Sequence, residues 1–235
     1  MNKTITITAA FLLSVATMHA GQLPSRDTTG IQQKKDTIAA DTTDILKEKK
    51  IADFKAETSQ APHLYFKGIP IEGTAMHFAD ALKKEGFVTS GSGMYGTFAG
   101  YPARLAFRTT PLSGQIWAVS VYLSGVPTFS MAKKQYDLFK YNITAIYGKP
   151  QSSTEKFHAP YTAKDGMNDK ALAEGKAQFE TIWAAETGTI RCRIIYDSQT
   201  DNKSLLLPIV TIDYIDETGA DINDKEQEIK FRRDL

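Results

Sequence analysis

Cysteine occurs once in 235 residues, at Cys192. That excludes an internal disulfide, a cysteine zinc cluster and a CxxC redox motif. Histidine occurs four times, at His19, His63, His77 and His158, with no HExxH pattern, so no metal site is expected. No serine sits in a GxSxG turn. Charge of one sign is also missing: 28 Lys and Arg stand against 27 Asp and Glu, a formal net charge of +1. This excludes the broad basic field of a nucleic-acid binder. No apolar stretch approaches the roughly 20 residues of a transmembrane helix. What is present is a 42% hydrophobic fraction, enough for a sizeable core in one large domain or two small ones.

The first twenty residues read as an export signal. Lys3 supplies the positive start, Ile5–Thr17 a short apolar stretch, and Ala20 a small residue before the expected cut. The protein is therefore expected outside the cytoplasm, periplasmic or secreted. No cysteine lies near the cut, so no lipid anchor is expected there. Cleavage removes Lys3, one of the 28 basic residues, and leaves the exported chain neutral against its 27 acids. Residues 21–61 are polar and without steady period, the composition of a flexible tether. Residues 62–216 carry the folded domain, and 217–235 read as a charged tail or short surface helix.

Within the domain the pattern repeats, as residues 62–126 and 127–216. Each unit opens on a helix. In the first, Phe78 and Leu82 lie four apart, with Met76 and Ala79 widening the stripe and Gly86 as the stop. In the second, Ala132, Tyr136, Phe139, Ile143 and Ile146 recur at helical spacing before Gly148 and Pro150. Three strand-like runs follow each helix: 94–99, 103–109 and 116–123, then 179–185, 189–196 and 209–215. A polar insert, Gln151–Gln178, precedes the second set and is expected to form a loop with a short helix at 169–176. The expected fold class is α+β, with antiparallel sheet and helices packed on one face, in two helix-plus-three-strand units.

This order, together with the opening Tyr65–Thr74 (YFKGIPIEGT), Phe78, Leu82 and Gly86-Phe87, resembles uncharacterised exported bacterial proteins with tandem helix-plus-sheet units. It is also distantly similar to β-lactamase inhibitor proteins and small outer-membrane assembly domains. The resemblance, over about 64–216, implies the element order alone. The disulfides of such inhibitors have no counterpart here.

Gly91–Gly96 matches GxGxxG in letters, but a helix precedes it and strands follow, the reverse of a dinucleotide site; no cofactor is expected. Cys192 lies between Ile190 and Ile194 and is expected to be a core thiol. Strand alternation supplies the candidate site. Trp117, Val119, Val121 and Leu123 are expected to face the core, as is Trp183. The opposite face gathers Arg104, Arg108, Tyr122, Arg191, Arg193 and Asp213. Arginine and tyrosine are common at binding hot spots, and arginine grips carboxylates or phosphates bidentately. The alternative for these residues is a solvated face in which Arg191 or Arg193 pairs with Asp213 or Glu180. The expected function is a non-enzymatic binding protein whose partner is a protein or envelope component. The competing reading is a hydrolase or carbohydrate-active protein with a site at the 151–178 insert near His158.

Overall fold

The computed structural model describes residues 62–91, 93–196 and 207–234. The expected export signal and tether lie outside the described residues. A two-stranded ribbon, β1 (Tyr65–Phe66) and β2 (Ile69–Pro70), leads into α1 (Ala75–Lys84). Then follow β3 (Val88–Ser90), β4 (Gly93–Phe98), β5 (Tyr101–Thr109) and β6 (Ile116–Leu123). The second half runs α2 (Phe129–Tyr147), β7 (Ser152–Phe157), α3 (Asn168–Ala173), β8 (Ala177–Ala185), β9 (Gly188–Tyr196) and β10 (Pro208–Asp216). A last helix, α4 (Glu217–Arg233), begins directly after β10.

The class is α+β, as the patterns indicate. Strands β3–β10 form one antiparallel eight-stranded sheet in the order 3-4-5-6-10-9-8-7. This is the order produced when two helix-plus-meander units pair their last strands, β6 with β10, at the centre. Each half has four strands rather than three. The additional ones, β3 and β7, form the two edges, and their burial is slight. An edge strand without an apolar face gives no alternation to read.

α1 and α2 each begin on a threonine cap: Thr74 accepts from the His77 amide and Thr128 from the Met131 amide, each at 3.3 Å. Such caps contribute about 1 kcal/mol each. α2 ends at Gly148, whose φ of 79° suits glycine. Phe78 and Leu82 of α1, and Ala132, Tyr136, Phe139 and Ile143 of α2, are buried in a core with Leu105, Val121, Trp183, Ile190, Cys192 and Ile212. Full burial of each large apolar side chain contributes about 1.5–3 kcal/mol. Met76 and Ile146, expected on the buried stripes, are exposed instead. They sit in the terminal turns of their helices.

α4 departs from the expected one-faced arrangement. It packs on β6, and its Gly219 lies so close to Trp117 that an added Cβ would stand 2.8 Å from that residue's Cβ. Since Trp117 lies with Arg108 away from the core, α4 covers one end of the face opposite α1 and α2. Two carboxylates fasten it. Asp216, fully buried, caps α4 by accepting from the Gly219 amide at 2.7 Å. It also accepts from the Leu64 amide at 2.6 Å and pairs with His63 Nδ1 at 2.9 Å. Glu226 accepts from the Leu112 and Ser113 amides at 2.7 and 3.0 Å, pinning the helix to the β5–β6 turn.

Candidate functional site

The strand register arranges the open face in rows. One row runs Tyr95, Arg104, Tyr122, Thr211, Arg193 and Glu180 across β4, β5, β6, β10, β9 and β8. The next runs Ala106, Ser120, Asp213 and Arg191. The third includes Arg108, Ala118 and Ile215. All six residues expected to share this face do so: Arg104, Arg108, Tyr122, Arg191, Arg193 and Asp213.

Asp213 is the hub, and it is 2% exposed, which a solvated face would not produce. Its Oδ2 accepts from Arg191 Nε and Nη2 at 3.1 and 3.0 Å and from Arg193 Nη2 at 2.8 Å. Its Oδ1 accepts from the Ser120 hydroxyl at 2.5 Å and lies 3.8 Å from Arg108 Nη2. Among the described residues Glu180 makes no ion pair, so the expected pairing falls on Asp213 alone. Burial pushes the Arg108 guanidinium below its ordinary range. Asp213 opposes that shift and Arg191 adds to it.

Two arginines lie over rings: Arg104 over Tyr122 at 4.2 Å and Arg108 over Trp117 at 4.6 Å. Trp117 corrects the alternation. The β5–β6 register shifts between Arg108 and Thr109, so that Arg108 pairs with Ala118 and Thr109 with Ile116. Trp117 is the extra residue of a β-bulge, which turns it to the arginine face. Trp183 is in the core, as expected.

Four buried polar atoms on this face have no hydrogen-bond partner: Arg104 Nη2, Arg193 Nε, Trp117 Nε1 and Thr211 Oγ1. The first three can only donate. Thr211 and Ser120 were not singled out by sequence. Their outward parity was legible, but parity does not report burial: Ser120 is 5% and Thr211 1% exposed.

The competing site is a cleft of about 580 Å³ between α2, β7 and the insert. Phe129, Phe157 and Phe179 line it, with Lys133 and Glu155 at one side. Burial pushes the Glu155 carboxyl up, but hydrogen bonds from Lys140 and Lys133 outweigh it and hold the group below its ordinary range. A carboxyl held ionised does not serve as a general acid at neutral pH. His158 is not part of the lining. Asp165 accepts from the Thr162 and Met167 amides and Asp169 from the Phe129 amide, so both carboxylates hold backbone.

Gly91 to Gly96 spans the β3–β4 hairpin. Gly96 serves packing, since an added Cβ there would stand 2.5 Å from the Phe87 ring. Cys192 is fully buried, and burial raises its thiol far above the ordinary range, which makes it unreactive. Among the described residues no group of three or more His, Cys, Asp or Glu is placed to hold a metal ion. Among them, too, no helix is long and apolar enough to cross a membrane. No family model, curated protein or solved structure matches the chain.

Proposed function

We propose that this is an exported, non-enzymatic binding protein whose arginine-bearing sheet face takes a protein or envelope component. The observation that carries the reading is the excess of donors on that face: three guanidiniums close on the one buried carboxylate, a fourth lies over Tyr122, and three buried N–H groups lack acceptors among the described residues. A buried donor without a partner costs about 1–3 kcal/mol, and a docking partner that supplies acceptors recovers it. Export rests on the character of residues 1–20. The reading as a hydrolase or carbohydrate-active protein has the aromatic-floored cleft in its favour and the ionised Glu155 against it.

The test replaces Arg104, Arg108, Arg191 and Arg193 with serine and measures capture of partner from envelope extract. Capture should fall at least tenfold, about 1.4 kcal/mol. Because that variant strips Asp213 of its cations, Arg104→Ser with Arg108→Ser serves as the companion, since it leaves the 2.8–3.1 Å contacts of Arg191 and Arg193 in place. A folded double variant that captures partner as well as the native protein overturns the reading.

A further inference from the structure

We infer that the row Arg104–Tyr122–Thr211–Arg193 is a subsite for a phosphate group, free or esterified, and this rests on the binding role proposed for the face. The row is continuous in register across β5, β6, β10 and β9. Three of the unpartnered buried atoms belong to it, Arg104 Nη2, Thr211 Oγ1 and Arg193 Nε. Neighbouring strands lie about 4.8 Å apart. Arg104 leans one strand inward, its guanidinium over the Tyr122 ring, and Arg193 leans one strand inward to reach Asp213. Both heads therefore lean toward β10, where Thr211 is only 1% exposed.

The chemistry of the missing ligand follows from what these atoms lack. Two are obligate donors and the third can donate, so the ligand supplies acceptor oxygens. Three donors arriving from three strands match the three terminal oxygens of a phosphate monoester better than the two oxygens of a carboxylate. Charge points the same way. The face carries four arginines against Asp213 and Glu180, the latter opposite Arg193 in register, so positive charge exceeds negative by two, although only Arg108, Arg191 and Arg193 reach Asp213. A water molecule can satisfy a donor but leaves that excess untouched. Stacking recognition of a sugar or base is disfavoured, because a guanidinium already occupies one face of each of Tyr122 and Trp117. Entry displaces the arginine side chains that cover the row, of which Arg193 is one-third exposed.

The experiment is titration calorimetry of the mature protein with inorganic phosphate, and with acetate at equal ionic strength. Phosphate should bind with measurable heat and acetate at least tenfold more weakly. Thr211→Val, which keeps shape and loses the hydroxyl, should weaken phosphate binding about five- to tenfold, with Thr211→Ser restoring it. Arg104→Ser should weaken it at least tenfold, with the fold checked by circular dichroism. Acetate binding as well as phosphate, or phosphate binding unchanged in Thr211→Val and Arg104→Ser, overturns the inference. So does absence of phosphate binding to the native protein. Co-sedimentation with phosphatidylcholine vesicles that contain phosphatidic acid, blocked by free phosphate, assigns the group to a lipid headgroup. Phosphate binding without co-sedimentation assigns it to a soluble ester; either result upholds the subsite. If phosphate fails to bind but the arginine variants still lose partner capture, only this inference falls. If capture is also unchanged, the binding role falls with it.

Discussion

Asp213→Ala should destabilise the domain by about 3–5 kcal/mol, the range for breaking a buried pair by removing one partner. For a domain of this size each kcal/mol lowers Tm by about 2–4 °C, so thermal unfolding should shift down by about 10 °C. The reason is that Asp213 is the carboxylate on which Arg191 and Arg193 close at 2.8–3.1 Å, with Arg108 at 3.8 Å and Ser120 donating at 2.5 Å. Without it, partly buried cations face one another across β5 and β9 with nothing between them. Asp213→Asn keeps the shape and loses the charge, so it should recover little. Combining Asp213→Ala with Arg191→Ala should cost less than the two separate losses added, because the second change removes a charge the first left unpaired. A loss below about 1 kcal/mol for Asp213→Ala would assign the cluster to ordinary solvated surface pairs.

Asp216→Ala carries the second large effect, about 3 kcal/mol, from different physics. Its side chain is at once the cap of α4, through the Gly219 amide, and the acceptor for the buried Leu64 amide. Loss of the cap costs about 1–2 kcal/mol, and an unsatisfied buried amide about 1–3 kcal/mol. Hydrogen exchange should localise the damage: amides of the first two turns of α4 and of Leu64 should lose protection while β8 and β9 keep theirs. Asp216→Asn retains an acceptor oxygen and should cost less than half as much. Uniform loss of protection across the sheet would instead make this residue part of the global core.

Much of this architecture was legible because alternation and helical period are set by geometry. Six of the eight sheet strands match their expected spans within two residues, and Thr128 and Gly148 bound α2 as their chemistry predicts. The same parity placed all six candidate residues on one face. Parity says which way a side chain points, however, and nothing of what lies over it. Thr211 and Asp213 point outward yet are almost fully buried, Asp213 beneath arginines of β5 and β9. Trp117 defeated the alternation through a single extra residue. A β-bulge beside the β5–β6 turn keeps no signature in strand letters, because the extra residue changes which side chains face inward without changing their composition. β7 (SSTEKF) escaped notice because a polar edge strand and a polar loop share a composition. α4 reads as a solvated tail since few of its side chains are buried: Gly219, Ile222 and Glu226 meet the domain, and its remaining charges face water.

The central claim is that partners dock on the arginine face, and a photo-crosslinking residue tests it most directly. Tyr95 stands on that face beside Arg104, 43% exposed, whereas Tyr141 is 74% exposed on the helix α2, which packs on the other side of the sheet. Each is replaced in turn by a photo-reactive phenylalanine analogue, and the purified protein is irradiated in envelope extract. The account predicts a discrete adduct from position 95, suppressed by Arg104→Ser with Arg108→Ser, and none from position 141. An adduct from position 141 with none from 95 would contradict it.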